Sequence, residues 1–130
     1  MSACVVDASA ILAYAFKEKG AVKVGRWIDR GAAVSALTIQ ETVSKLRQAG
    51  LPKGDAEELC AALGLDVRAL DLSLALAAGN MFPLTKRFGL SHGDRACLAL
   101  GLALGVPVIT ADKRWSDVAD DLAVKVEQFR

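Results

Sequence analysis

A chain of 130 residues, 53% of them hydrophobic, falls in the size range of one domain and can build a cooperative core without disulfides or a structural metal. Sixteen Lys and Arg against fifteen Asp and Glu leave a formal net charge of +1, so bulk charge does not announce a nucleic-acid binder and any such case must rest on a local site. No apolar run approaches the roughly 18–20 residues of a membrane span, and three cysteines without CxxC spacing argue against both a disulfide framework and a zinc site. With no basic n-region in MSACVVDAS, the chain reads as cytoplasmic and membrane-free. Cys4, Cys60 and Cys97 read as small core residues. The apolar fraction is high for so small a domain, and part of that surface is expected to face a partner.

In chain order, residues 3–6 (ACVV) form a β-branched run that reads as a strand, and Asp7 follows it directly. Helical spacing covers 9–17 and 21–30, and 32–35 (AAVS) is a weaker strand. Helices are predicted at 38–49 and 54–63, a weak strand at 66–69 (DVRA), and helices at 72–81 and 92–104. The run 106–110 (VPVIT) reads as a strand followed, after a single Ala, by Asp112. A short helix at 114–120 and a strand at 123–126 (AVKV) complete the pattern. Gly50, Gly64 and Gly105 fall where left-handed C-caps would end helices. Strands alternating with helices predict an α/β fold, because parallel crossovers need helix-length connections. The expected architecture is one domain over 1–130, with a mostly parallel sheet of four to five strands and about seven flanking helices.

That topology gathers four acids. Asp7 and Asp112 leave the carboxyl ends of their strands, the edge where open α/β sheets bind ligands. Glu41 lies at the start of the helix after 32–35, on the same edge, and Asp94 opens the helix that returns to 106–110. Each acid also has a local explanation. Thr38–Glu41 and Ser91–Asp94 both fit a capping box, and Asp7 and Asp112 fit N-cap or turn positions. Taken together, four carboxylates on one rim repel one another and raise one another's pKa unless a cation lies among them. All-oxygen donors favour Mg²⁺ or Mn²⁺ over zinc, and such ions activate water against phosphodiesters. The single histidine, His92, excludes a mechanism that needs a histidine pair and reads as a loop or helix-start residue.

The segments Val5-Val6-Asp7-Ala8-Ser9-Ala10, Leu37-Thr38-Ile39-Gln40-Glu41, Gly93-Asp94-Arg95-Ala96-Cys97 and Val108-Ile109-Thr110-Ala111-Asp112 with Trp115 together resemble PIN-domain nucleases, specifically the VapC-type toxins of bacterial toxin–antitoxin pairs. The resemblance runs end to end. It implies a Mg²⁺- or Mn²⁺-dependent endoribonuclease with Asp7, Glu41, Asp94 and Asp112 as catalytic acids, three of them (Asp7, Asp94, Asp112) on the principal metal. It further implies that Ser9 and Thr110 support the carboxylates, that Asp117 supplies a further acid, and that Trp115 packs in the core. A homodimer, an RNA substrate and a cognate VapB-type antitoxin are implied in the same way.

Lys86, Arg87, Arg95, Lys113 and Arg114 lie near the acids in sequence and are expected to engage substrate phosphates. Ile11, Leu12, Tyr14, Ala15, Phe16, Val22, Val24, Trp27 and Ile28 give the first two helices more apolar surface than one core face needs, and an amphipathic antitoxin helix is expected to dock there. Two other readings compete. A Mg²⁺-dependent phosphatase of the haloacid-dehalogenase type would need a second Asp where Ser9 stands, and a catalytically inactive PIN-fold binding module would have no need of intact acids at all four positions.

Overall fold

The computed structural model describes residues 1–130. Five strands, β1 (Cys4–Val6), β2 (Ala32–Ser35), β3 (Asp66–Arg68), β4 (Val108–Thr110) and β5 (Val126–Gln128), form one sheet in the order β3-β2-β1-β4-β5. Every neighbouring pair is parallel, with Val5 opposite both Ala33 and Val108. The three central strands are buried on both faces, which explains why they read as unbroken apolar runs and not as alternating patterns. The edge strands β3 and β5 are short and partly or wholly exposed, a form that limits edge-to-edge pairing.

Eight helices surround the sheet: α1 (Ala8–Ala15), α2 (Ala21–Arg30), α3 (Ala36–Gln48), α4 (Lys53–Ala62), α5 (Leu72–Asn80), α6 (Phe82–Thr85), α7 (His92–Leu104) and α8 (Lys113–Leu122). Successive strand residues feed opposite cores. Val5 and Val108 join Leu98, Trp115 and Val118 on the face covered by α7 and α8. Val6 and Ile109 join Ile11, Val24 and Val34 under α1 and α2. Chain order runs outward from β1 through β2 to β3, then returns to the other side of β1 for β4 and β5. Strand order therefore reverses between β1 and β4, the position where a crevice opens at the carboxyl edge of such sheets.

Four local expectations are corrected. The last strand occupies 126–128, not 123–126, because Ala123 takes a left-handed conformation (φ +57°) as the C-cap of α8. Helix α3 starts at Ala36, two residues earlier than its periodicity indicates, with Ser35 Oγ accepting from the Leu37 N–H. A short helix, α6, with a proline in its first turn, brings the seven predicted segments to eight helices, and a 3₁₀ turn over Lys86–Phe88 follows it. Cys60 lies half-exposed on α4, whereas Cys4 and Cys97 are core residues. The three glycine C-caps do adopt positive φ.

Candidate active site

Asp7, the residue after β1, is the N-cap of α1 and only 7% exposed. Its Oδ1 accepts from the Ala10 N–H at 2.8 Å and from Ser9 Oγ at 2.7 Å, and its Oδ2 accepts from Thr110 Oγ1 at 2.5 Å. The same two hydroxyls accept from the next backbone stretch. Ser9 Oγ takes the Ala111 N–H at 3.1 Å and Thr110 Oγ1 the Asp112 N–H at 3.0 Å. Ser9 and Thr110 thus tie the end of β1 to the end of β4, and the buried carboxylate is held at both oxygens.

Asp112 is the N-cap of α8, accepting from the Arg114 N–H, and forms a two-pronged pair with the Arg114 guanidinium, Nη2 to Oδ2 at 2.5 Å and Nε to Oδ1 at 3.0 Å. Arg114 Nη1 also donates to the carbonyls of Phe88 and Gly89. Asp94 closes a true capping box at the start of α7, its Oδ2 accepting from the Ser91 N–H at 2.8 Å while Ser91 Oγ accepts from the Asp94 N–H. Glu41 differs. With α3 beginning at Ala36, it lies in the second turn, beyond reach of the cap, so it satisfies no orphan backbone N–H there.

These acids line one cleft of about 330 Å³ together with Ser9, Lys45, Gly93, Arg114 and Trp115. The N-termini of α1, α7 and α8 meet there, and their dipoles favour negative charge. Burial pushes the Asp7 carboxyl above the usual carboxylate range; its three hydrogen bonds pull the other way, and Asp94 adds to the rise. Glu41 is raised by burial and then by Asp94, with Lys45 opposing and Asp7 adding. Asp112 lies below the usual range, chiefly because of the Arg114 hydrogen bond. The expectation of four mutually repelling carboxylates therefore holds for the Asp7–Glu41–Asp94 side of the cleft, while Asp112 carries its own counter-charge.

The oxygen-only donors of Asp7, Glu41 and Asp94 fit a hard divalent cation, whose charge would offset both the burial and the smaller mutual repulsion that raise Asp7 and Glu41. Room for the Glu41 carboxyl depends on Gly93, where any Cβ would overlap its Oε1 and Cδ. No three acidic, His or Cys side chains stand together as a ready-made metal shell, since Asp94 and Asp112 are turned to their local partners. The buried indole N–H of Trp115 meets no acceptor at hydrogen-bond geometry, although it is near enough to Asp112 to help hold that carboxyl down.

The other expected site residues separate. Asp117 is exposed on α8 and lies outside the cleft. Lys86 and Arg87 are exposed on the 3₁₀ turn and do not line it, Arg87 resting against the Phe88 ring. Arg95 is 6% exposed; its guanidinium donates to the Leu90 carbonyl and meets His92 Nδ1, so it braces the turn before α7 and cannot face a phosphate as placed. Lys113 is exposed beside the rim, bonded to Gln128 Oε1 at 3.3 Å. Two cleft residues escaped the reading of the sequence. Lys45 stands four residues after Glu41, the favourable Glu-to-Lys spacing of a helix, and that spacing was the available signal. Gly93 sits in the first turn of a helix, where nothing local asks for glycine.

A family model described as PIN domain matches residues 4–121. Among solved structures, a DNA-bound VapBC from Salmonella typhimurium superposes with a TM-score of 0.77 at 15% identity over 100% of both chains. A toxin–antitoxin complex from Klebsiella pneumoniae gives 0.73 at 12% identity over 98% of each chain, and VapBC-1 from nontypeable Haemophilus influenzae gives 0.71 at 16% over 97% of each. At identities this low, the likeness establishes the fold. No curated protein matches the sequence significantly.

Proposed function

The chain belongs to the PIN-domain family, and on that premise we propose that it is a metal-dependent endoribonuclease, the VapC-type toxin of a toxin–antitoxin pair acting in the cytoplasm. The observation that carries the reading is the cleft at the β1–β4 switch point, where a buried, doubly held Asp7 faces Glu41 and Asp94 with Asp112 at the rim. Bound Mg²⁺ or Mn²⁺ would lower the pKa of a water and offset charge on the phosphodiester. Asp7, Asp94 and Asp112 are assigned to hold the ion, Asp112 after exchanging its partner Arg114. Ser9 and Thr110 fix the Asp7 carboxylate, which reduces the reorganisation needed when the ion binds. Glu41, whose pKa is raised and which has no hydrogen-bond partner, is assigned to help hold this ion or a second one and to orient the attacking water, accepting its proton. Arg114, once released from Asp112, lines the cleft with Lys45 and would offer positive charge to a substrate phosphate, with Lys113 beside the rim.

Partner surfaces accompany this reading. Tyr14, Val22, Leu59 and Leu63 line an apolar groove between α1, α2 and α4 that suits an antitoxin helix. Exposed Leu72, Leu76, Phe82 and Leu84 offer area for a second copy of the chain. No helix is long and apolar enough to cross a membrane.

Incubating the purified chain with RNA and Mn²⁺ or Mg²⁺ should yield products with 5′-phosphate and 3′-hydroxyl ends, with none in EDTA. Asp7→Asn and Asp94→Asn should abolish cleavage while the fold persists. Undiminished cleavage by Asp7→Asn would end the proposal. A second reading, a PIN-fold binding module without catalysis, draws on the Arg114 clamp on Asp112, and RNA left intact with every divalent ion would favour it.

A further inference from the structure

We infer that the face of α2 bearing Lys23, Arg26, Trp27 and Arg30 is a binding surface for single-stranded RNA, continuous with the acidic cleft; this rests on the nuclease reading for its substrate class. The spacing i, i+3, i+4, i+7 puts the four side chains on one helix face. They line a shallow pocket closed on its other side by Glu127 of β5. Three cations meet one acid there, and none of the three takes part in a salt bridge. Arg30 suits the C-terminal end of the helix dipole, but like charges at these spacings repel, so helix stability alone does not call for all three. The Arg30 guanidinium lies 4.4 Å from the centre of the half-buried Trp27 ring, forming a cation–aromatic platform of the kind on which unstacked bases settle.

Position links this surface to the cleft. Lys23 Nζ donates to the Gln128 carbonyl at 3.1 Å, and Gln128 Nε2 donates to the Asp112 carbonyl at 2.9 Å. Lys113, on the rim, shares the same glutamine through Oε1. From Lys23 the basic face descends α2 for about 10 Å to Arg30, at ~1.5 Å per residue, long enough to follow a short stretch of single strand. A strand leaving the acids would cross Lys113 and Lys23, place its phosphates against Arg26 and Arg30, and stack a base on the Trp27–Arg30 platform. The surface supplies the positive charge that the acidic cleft and the near-neutral chain do not.

Binding measured in EDTA separates this inference from catalysis. By fluorescence anisotropy, the combined variant Lys23→Gln, Arg26→Gln, Arg30→Gln should bind a long single-stranded RNA at least ~10-fold more weakly, and its log–log salt slope should fall by about 2, at ~0.7 per phosphate contact. Its circular dichroism should keep the native spectrum, since all three side chains are exposed. RNA should quench the native chain more strongly than Trp27→Phe, whose remaining Trp115 is buried in the wall of the acidic cleft. With Mn²⁺, cleavage of a short substrate that cannot reach α2 should be untouched by the triple variant. Equal affinity and equal salt slope for native and triple-variant chains would overturn the surface, as would an equal effect on duplex DNA. Cleavage failing with all metals while this RNA binding persists would remove the nuclease reading and leave the surface standing.

Discussion

In a Gly93→Ala variant the new Cβ lands on the Glu41 carboxyl, overlapping Oε1 and Cδ and standing 3.0 Å from Oε2. The atoms it meets are the far end of a flexible side chain, so Glu41 can swing aside at an off-rotamer cost of about 0.5–1.5 kcal/mol. Against that, alanine is favoured over glycine by up to ~1 kcal/mol in a helix, and somewhat less in its first turn. The two nearly cancel, and the fold should change by less than about 1 kcal/mol, equivalent to ~4 °C in Tm. Activity has no such compensation. With Glu41 displaced, RNA cleavage should fall roughly 100-fold or more, the low end of what a positioned proton acceptor contributes. A double-mutant cycle reads the cause: in a Glu41→Ala background the Gly93→Ala step should cost no further activity and should raise Tm slightly, because nothing remains to collide with. Retention of native cleavage by Gly93→Ala, or the same fractional loss in both backgrounds, would refute the steric argument.

Asp7 and Glu41 are raised mainly by burial, so the folded chain holds their protons to higher pH than the unfolded chain does; the stability they contribute is full below the ordinary carboxylate range and is lost as pH rises through their raised values. Asp112, lowered by Arg114, acts in the opposite sense, its contribution being lost as pH falls through the lowered value. Metal-free Asp7→Asn should therefore melt at or above the native temperature at neutral pH, with the advantage closing in mild acid; an advantage that widens as pH falls would contradict the assignment. Mn²⁺ at ~100 times its Kd should stabilise the native chain by about 2.7 kcal/mol in thermal melts, and Asp7→Asn should lose that shift. Arg114→Ala, which frees Asp112, should reach the same shift at lower Mn²⁺, while the lost half-exposed ion pair itself costs under ~1 kcal/mol.

The strands were legible wherever β-branched residues ran together, because a parallel strand buried on both faces must be apolar throughout: ACVV and VPVIT announced β1 and β4. Asp7 and Asp112 followed from those strands, and Asp94 from its capping pattern, since each is fixed by the few residues around it. The terminal strand was misplaced because Val124 belongs to the closing turn of α8, whose N–H reaches back to Ala119, and periodicity cannot register a left-handed cap at Ala123. Likewise, Arg95 looked like any exposed base one residue from an acid, while its burial depends on the turn folded over it.

Chemical type and order along the chain therefore decided which acids share an edge, for that depends only on strand direction and on connections that must cross a parallel sheet. Tertiary structure alone decided what no local pattern could: Asp7 gripped by hydroxyls from α1 and β4, and Glu41 free because Gly93, fifty-two positions away in the chain, leaves space for it. Side-chain partnership depends on distances of a few ångströms between segments remote in sequence, and no local pattern encodes those distances.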